Sequence, residues 1–246
     1  MIGCEFACMY ASVGVPVTVL EAMSEICPNL DKDVAAVLRE ELTGKGVEFK
    51  LNTTVESIEP NSVKYANSEG SGSVDGDLVL VATGRKPNVS DLGLEDLGLD
   101  FDARGVRVND KGATNVPGLW AAGDVTGQAW LAHSASRMAE VVVNNLNGRV
   151  DHMRFDKMPA VVYTSPEVAV VGLTKEEAEA KGLKVKVGRI PMKINARYLA
   201  ENPDEAGLCK VVLEAETRRL LGVHMVGGAC SETVSYTHLT LPTIVS

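Results

Sequence analysis

The stretch that most constrains the fold is residues 114–127, which read T-N-V-P-G-L-W-A-A-G-D-V-T-G. Pro117-Gly118 indicates a turn, and the apolar run Leu119–Ala122 predicts a short buried strand. Gly123 then removes a side chain where the chain approaches another group closely. Asp124 is therefore expected to place a carboxylate at the end of this strand.

The position of Asp124 also predicts a ligand. A helix is predicted from Leu131 to Leu146, shortly after the strand. In open α/β sheets, ligands lie outside the carboxyl ends of strands, next to helix N-termini that favour negative charge. A carboxylate in this place can accept a hydrogen bond from a sugar or ribitol hydroxyl. The alternative is an ordinary strand-to-helix turn that Asp124 merely caps.

Composition excludes several classes of function. The chain has 246 residues, room for one large or two modest domains, with the 45% hydrophobic and 23% charged residues of a soluble globular protein. Its net charge of −9 argues against nucleic acid or an anionic membrane as a partner. No apolar run reaches the roughly 18 residues that a helix needs to cross a bilayer, so the sequence predicts no membrane-spanning helix. Five cysteines without regular spacing, and no signal peptide before the first strand-like segment, predict a cytoplasmic protein without a disulfide framework.

The N-terminal segment carries part of a dinucleotide-binding pattern. Such a fold needs a strand, a G-x-G-x-x-G turn, a helix, a second strand and an acid for the ribose hydroxyls. Gly3 stands where the last glycine would be, and a helix and then the predicted strand Val17–Glu21, which ends in an acid, follow in order. An acid at this position favours NAD over NADP, because it would repel a 2′-phosphate. Cys4 and Cys8 are one helical turn apart, a spacing that seldom permits a disulfide, so we interpret them as packing residues.

The remaining elements follow from periodicity and turn residues. We predict an amphipathic helix over Asp31–Lys45 and, over Thr174–Lys181, a helix that begins with a capping box. Asn67–Gly76 is predicted as a Ser/Gly-rich turn in a β-meander, and Asp77–Ala82 as a fully buried strand that ends near Gly84. The other predicted strands are Val47–Leu51, Thr54–Ile58, Ser62–Tyr65, Ala160–Tyr163, Val168–Gly172, Val185–Val187, Cys209–Leu213 and Leu221–Val226.

Several motifs resemble those of the pyridine nucleotide–disulfide oxidoreductases. T-x-x-P-x-h-x-A-x-G-D, which ends at Asp124, resembles the second FAD-binding motif of that family, and residues 2–7 resemble its NAD motif, cut in the middle. Residues 77–88 contain a stretch similar to the segment h-h-h-A-x-G-R-x-P-N, where the family's chain returns to the FAD domain. Residues 158–232 are similar to its interface domain, and Lys193–Ala200 is most similar to the dihydrolipoamide dehydrogenases.

The resemblance implies FAD and NAD as cofactors and assigns residues to each. Val55 is expected beside the adenine and Gly84 beside the nicotinamide half, with plain core packing as the alternative for Val55. The helix N-terminus after Trp130 is expected to face the flavin, although His133 could instead be a satisfied core histidine. The candidate cofactor-binding residues are Ile2, Gly3, Cys4, Glu5, Glu21, Val55, Gly84, Asp124, Trp130, Leu131, Ala132 and His133.

The fold class implied is α/β and α+β, with Rossmann-like FAD- and NAD-binding parts followed by an α+β interface domain. We expect an N-terminally truncated NAD-binding domain over 1–83, the second part of an FAD-binding domain over 84–152 and the interface domain over 153–233. Residues 234–246 resemble the translation of a sequencing-library adapter and are expected not to be native. His238, within them, is assigned no role.

The activity implied is that of a dihydrolipoyl dehydrogenase, which passes electrons from dihydrolipoamide through a dithiol and FAD to NAD⁺. The implied partners are a second copy, bound through the C-terminal domain, and a lipoyl-bearing protein of a 2-oxoacid dehydrogenase or glycine cleavage complex. The sequence contains neither the family's dithiol nor its His-Glu base, so we assign no catalytic residue and expect an inactive fragment. A mercuric reductase or other NAD(P)H-dependent disulfide reductase, and a non-enzymatic dinucleotide-binding remnant, remain alternatives.

Overall fold

The computed structural model describes residues 1–234, which form two compact units. The first unit contains residues 1–83 and 159–234, and the second contains residues 84–158. The helices are α1 (Ile2–Ser12), α2 (Lys32–Gly44), α3 (Ala132–Leu146), α4 (Lys175–Ala180) and α5 (Ala196–Glu201). The strands are β1 (Val17–Leu20), β2 (Val47–Lys50), β3 (Thr54–Glu59), β4 (Ser62–Asn67), β5 (Gly70–Asp75), β6 (Phe101–Asp102), β7 (Gly105–Val106), β8 (Ala160–Val162), β9 (Val168–Gly172), β10 (Val185–Pro191), β11 (Leu208–Glu214) and β12 (Leu220–Val226).

The first unit begins with α1, β1, α2 and β2, and β1 pairs with β2 in parallel. The predicted amphipathic helix is confirmed as α2. It begins after Asp31, whose side chain accepts a hydrogen bond from the Asp33 N–H at 3.0 Å, so one of the otherwise unpaired amides of the first turn is satisfied. Val34, Leu38 and Leu42 recur at helical spacing and are fully buried. Their burial fixes which face of α2 meets the core.

The three strands β3, β4 and β5 form an antiparallel meander. The prediction of a turn over Asn67–Gly76 is wrong for most of that range, because β5 occupies Gly70–Asp75 and pairs along the whole of β4. Gly72 lies opposite Tyr65, and a Cβ atom on Gly72 would come within 2.6 Å of the Tyr65 ring. Glycine is unfavourable inside a strand, but at this position the absence of a side chain leaves space for the aromatic ring of Tyr65.

The C-terminal sheet of the first unit has the strand order β10-β11-β12-β9-β8, and every neighbouring pair is antiparallel. The predicted capping box is confirmed, since Thr174 and Glu177 exchange hydrogen bonds at the start of α4. One core cluster joins Val162, Val168 and Val226 of this sheet to the buried residues of α1 and α2. The N-terminal and C-terminal parts of this unit therefore share one core.

Residues 230–234 are helical, and Val234 is 1% exposed in a cluster with residues of β9 and β12. Val234 is the first residue of the segment predicted to be non-native, so the structure gives this position a packing role. The rest of that segment, with His238, lies outside the described residues, and its origin stays a hypothesis.

Two predicted strands do not form. Asp77–Ala82 has no strand pairing, and Leu78 and Val81 are 73% and 63% exposed. In the second unit, Leu119–Ala122 is only half-buried and makes a single bridge, from Trp120 to Ala113. An apolar run becomes a buried strand only where other strands pair with it and cover it, and no described strand pairs with either segment.

Candidate functional site

The strongest sequence motif forms a tight turn in the second unit. Asp124–Thr126 is one turn of 3-10 helix between Gly123 and Gly127, which have positive φ angles of 80° and 66°. The buried Thr126 hydroxyl donates to the Gly123 carbonyl at 2.8 Å, and the Gly127 N–H donates to the Asp124 carbonyl at 3.0 Å. The backbone thus satisfies the turn internally. The Asp124 carboxylate projects from it, exposed.

Two glycines hold this turn against the short β6–β7 hairpin. A Cβ atom on Gly105 would come within 2.6 Å of the Val125 carbonyl oxygen, and a Cβ atom on Gly127 would overlap the Arg104 carbonyl oxygen. Both glycines also have positive φ, which side chains rarely adopt. The place of Asp124 is therefore set by backbone-to-backbone contact that only glycine permits.

The helix predicted after this turn is confirmed as α3, which begins at Ala132. Leu131 precedes it in an extended conformation and supplies no side-chain cap to the first turn. Ser134, in the same turn, is fully buried, and its hydroxyl has no hydrogen-bond partner among residues 1–234. Trp130 is 37% exposed and His133 is exposed, which excludes a buried core histidine.

In the first unit, β1 ends at Leu20, and Glu21, which was predicted as the last residue of this strand, directly follows it. Its N–H continues the parallel pairing by donating to the Lys50 carbonyl at 3.0 Å. Its carboxylate oxygen Oε1 accepts from the Met23 N–H at 2.8 Å. No hydrogen bond from a described residue reaches Oε2, so this oxygen is free to accept from a ribose hydroxyl.

The other N-terminal candidates lie at the start of α1. A Cβ atom on Gly3 would be 3.3 Å from the Ala82 Cβ, so this glycine permits a close approach of residue 82. The Cys4 side chain is 6% exposed, and the Glu5 carboxylate accepts from the Tyr163 N–H at 2.9 Å. Ile2 is 43% exposed. Any contact of Cys4 with a cofactor would therefore involve its backbone.

Two further candidates lie apart from the first turn of α1. Val55, on β3, is 43% exposed, so the alternative of plain core packing for this residue is wrong. Gly84 has a φ of 119°, and a Cβ atom added to it would meet nothing within 4 Å. Contact of the twelve candidate residues with cofactors stays a prediction.

Sequence reasoning missed a cysteine contact. The interpretation of Cys4 and Cys8 as buried packing residues is confirmed, and Cys8 Sγ accepts from the Ser165 N–H at 3.3 Å. However, Cys4 Sγ also lies 3.6 Å from Cys27 Sγ, and the two residues are 23 positions apart. No local spacing rule connects them, because the contact depends on how the segment after β1 folds back over α1.

Sequence reasoning also missed a buried ion cluster. Lys210, on β11, is 2% exposed, and its Nζ lies 2.8 Å from Asp31 Oδ1 and 2.8 Å from Asp33 Oδ2. Arg189 Nη2 lies 2.6 Å from the same Asp33 oxygen. Burial would lower the pKa of Lys210, but hydrogen bonds to Asp31 and Asp33 outweigh it and raise that pKa. The cluster fastens the start of α2 to the C-terminal sheet.

Two related family models match this chain, one over its N-terminal half and the other over its C-terminal part. The family described as "Pyridine nucleotide-disulphide oxidoreductase" matches residues 1–139. The family described as "Pyridine nucleotide-disulphide oxidoreductase, dimerisation domain" matches residues 158–242, a range that includes part of the segment predicted to be non-native. Within residues 1–234, no helix combines the length and the apolar character needed to cross a membrane.

The similar proteins are named as reductases and dehydrogenases. Dihydrolipoyl dehydrogenase 3 of Pseudomonas aeruginosa is 38% identical over 95% of this chain and 51% of its own length. Leghemoglobin reductase of Glycine max is 38% identical over 95% of this chain and 46% of its own length. The chain thus spans about half the length of the curated relatives it matches.

Solved structures give the same result for the fold. The HOCl-induced flavoprotein disulfide reductase RclA from Escherichia coli matches with a TM-score of 0.85 at 29% identity, over 99% of this chain and 57% of that protein. LpdA from Mycobacterium tuberculosis matches with a TM-score of 0.87 at 28% identity, over 98% of this chain and 53% of that protein.

Proposed function

Because the chain belongs to the pyridine nucleotide–disulphide oxidoreductase family, we propose that it is part of a flavoprotein dihydrolipoyl dehydrogenase. Such an enzyme passes electrons from dihydrolipoamide through a dithiol and FAD to NAD⁺. The observation that carries this proposal is the 38% identity to a dihydrolipoyl dehydrogenase over 95% of the chain. The fold expected from the sequence, dinucleotide-binding parts followed by a dimerisation domain, agrees with the family matches.

For FAD, the second unit offers three fitting groups. The exposed Asp124 carboxylate is held at the end of a rigid turn and would accept hydrogen bonds from ribitol hydroxyls. The N-terminus of α3 favours negative charge, and the buried hydroxyl of Ser134, in the first turn of this helix, lacks a partner among the described residues. When bound, FAD would supply the two-electron carrier. The protein's own contribution here is to bind and orient it.

For NAD, the first unit offers an acceptor at the end of a parallel strand. Glu21 Oε1 is held by the Met23 N–H, which fixes the carboxylate and points to a role for Oε2 as the ribose acceptor. The negative charge of Glu21 disfavours the 2′-phosphate of NADP. Gly3, at the first turn of α1, permits the close approach of Ala82 to this helix.

We also propose an oligomeric state, a partner protein and a cellular location for the complete protein. The dimerisation-domain match supports a homodimer formed through the C-terminal part. The relatives named dihydrolipoyl dehydrogenase support a lipoyl-bearing protein of a 2-oxoacid dehydrogenase or glycine cleavage complex as partner. A cytoplasmic location is consistent with the absence of a membrane-crossing helix among residues 1–234.

The test uses the product of the complete reading frame that contains this sequence. We expect it to purify with FAD and to reduce NAD⁺ when dihydrolipoamide is added. The control omits dihydrolipoamide and supplies a monothiol at equal thiol concentration, which should give little NADH. A flavin-loaded protein that is inert toward dihydrolipoamide but oxidises NADPH with another disulfide would instead be an alternative reductase of the family. A protein that binds a dinucleotide but reduces neither NAD⁺ nor any disulfide would be the non-enzymatic dinucleotide-binding remnant.

A further inference from the structure

We propose that Cys4 and Cys27 form an oxidisable dithiol, which hydrogen peroxide converts to a disulfide that ties α1 to the segment between β1 and α2. The two sulfur atoms lie 3.6 Å apart. A disulfide has an S–S distance of about 2.05 Å, so bond formation requires the sulfurs to approach by roughly 1.5 Å. Movement of either α1, which carries Cys4, or the segment of residues 21–31, which carries Cys27, is enough to bring the sulfurs together.

The segment that carries Cys27 is the element that we expect to move, because regular hydrogen bonding does not hold it. Cys4 lies inside the regular helix α1, whereas residues 21–31 contain bends and turns without regular helix or strand. Cys27 has a φ of 49°, a left-handed conformation that a cysteine seldom adopts. Such a conformation costs free energy and is held by the surrounding packing. In this left-handed backbone conformation, the Cys27 sulfur lies in contact with the Cys4 sulfur.

The other thiols of the first unit have different environments. Cys8 Sγ contacts the backbone of Ser165, and Cys230 donates to the Gly227 carbonyl. Burial raises the pKa of Cys209 and of Cys230, so these thiols stay protonated. Cys27 differs, because its hydrogen bond with Cys4 lowers the pKa of Cys27 while raising that of Cys4. The nucleophilic thiolate therefore forms first on Cys27.

The oxidation is balanced by one molecule of hydrogen peroxide. The Cys27 thiolate attacks a peroxide oxygen, the O–O bond breaks, and Cys27 becomes a sulfenic acid while one water is formed. Cys4 sulfur then attacks the Cys27 sulfur, which releases the oxygen as a second water once the Cys4 proton is transferred. In total, two thiols and one hydrogen peroxide give one disulfide and two waters.

Burial sets how this reaction begins. Cys4 is 6% exposed and Cys27 is 3% exposed, so peroxide reaches them when the segment of residues 21–31 opens locally. Once formed, the disulfide would close that segment onto α1. Glu21 lies at the start of the same segment. Oxidation would therefore restrict the part of the chain that carries the proposed ribose acceptor.

The experiment maps the disulfide in the purified chain. After treatment with hydrogen peroxide, remaining thiols are alkylated in denaturant, and the digest is analysed by mass spectrometry with and without reduction. We expect a reducible cross-link between the Cys4 and Cys27 peptides, and two fewer alkylated thiols out of five. The oxidised chain should melt at a temperature higher by on the order of 5 °C, since the cross-link constrains the unfolded chain.

Matched variants distinguish a specific pair from general oxidation. Cys8→Ala removes an equally buried cysteine of α1 and should leave the cross-link intact, whereas Cys27→Ala should abolish it. Deuterium exchange in residues 21–31 should become slower on oxidation of the unmodified chain. The proposal fails if peroxide gives no Cys4–Cys27 cross-link, gives only sulfinic acid on Cys27, or links other cysteines instead. The mapping needs neither FAD nor NAD, so its outcome does not depend on the proposed activity.

Discussion

Glu21 and Asp124 are both acids at the end of an apolar run, but the two units of the protein hold them by different means. Glu21 follows a real strand, and parallel pairing with β2 fixes its backbone through the Lys50 carbonyl. Asp124 follows a segment with one isolated bridge, and a 3-10 turn framed by glycines fixes it. One acid depends on a sheet and its core, the other on close backbone contacts.

This difference separates two kinds of mutational sensitivity. In the first unit, side chains far apart in sequence hold the parts together, as the buried pair of Asp31 and Lys210 shows across 179 positions. In the second unit, the absence of side chains at Gly105 and Gly127 permits the close backbone contacts that hold the turn of Asp124. Both tryptophans, Trp120 and Trp130, belong to the second unit, so tryptophan fluorescence reports on that unit alone.

The largest effect is expected in the first unit, for Lys210→Met. The variant leaves the buried carboxylate of Asp31 without its cation, and breaking a buried ion pair in this way costs roughly 3–5 kcal/mol. The free energy of unfolding should fall when followed by far-UV circular dichroism and by deuterium exchange in β11. Lys186→Met is the control, since Lys186 is exposed on the neighbouring strand. The two units would not be stabilised independently if tryptophan fluorescence, which follows the second unit, showed as large a loss of unfolding free energy as deuterium exchange shows in β11.

The next largest effect is expected in the second unit, for Gly127→Ala. The new methyl group would overlap the Arg104 carbonyl oxygen, and relieving such overpacking costs about 1–3 kcal/mol. Strain at its positive φ adds about 1 kcal/mol. Gly118→Ala is the matched control, because Gly118 has a φ of 82° but open space around it. Urea unfolding followed by tryptophan fluorescence should separate the two variants, and equal midpoints would show that close backbone contact is unimportant.

Local signals in the sequence predicted several helices and strands of the first unit. The N-cap and apolar spacing of α2, the capping box of α4 and the whole of β9 were predictable, because each depends on residues within a few positions of one another. The buried strands expected over 77–82 and 119–122 do not form, because apolar composition does not supply a pairing partner. The motif that ends at Asp124 predicted a carboxylate at the end of a strand, but neither the 3-10 turn that carries it nor the hairpin that holds this turn.

Long-range contacts were beyond local reasoning. Lys210 stands among apolar residues of a strand, and nothing near it in sequence indicates that its ammonium group meets the start of α2. The contact between Cys4 and Cys27 likewise depends on the path of the segment after β1. Sequence periodicity shows which side chains are buried, but partner identity follows only from the tertiary fold.

Asp124→Ala should have an intermediate effect, and on flavin rather than on folding. A hydrogen bond to a charged group contributes about 1.5–3 kcal/mol, so its loss should lower FAD affinity about ten- to a hundredfold in the complete protein. If Asp124 instead only caps the turn, its removal would cost roughly 1 kcal/mol of stability. Flavin absorbance per protein and thermal melting of the apoprotein separate these outcomes. Full flavin occupancy in a less stable variant would leave only the capping role.

The smallest effect is expected for Glu21→Arg, measured as the preference for NADH over NADPH. A cation in place of the carboxylate would lose a ribose acceptor and attract a 2′-phosphate, so the preference should shift toward NADPH by about tenfold or more. The substitution also removes the acceptor of the Met23 N–H, which could loosen the segment without any role in binding. Glu21→Gln controls for this, because its amide oxygen can still accept from Met23 while the charge is gone. If Glu21→Gln and Glu21→Arg leave the preference of the unmodified protein unchanged, the Glu21 carboxylate has no part in the choice between NADH and NADPH and only holds the backbone of Met23.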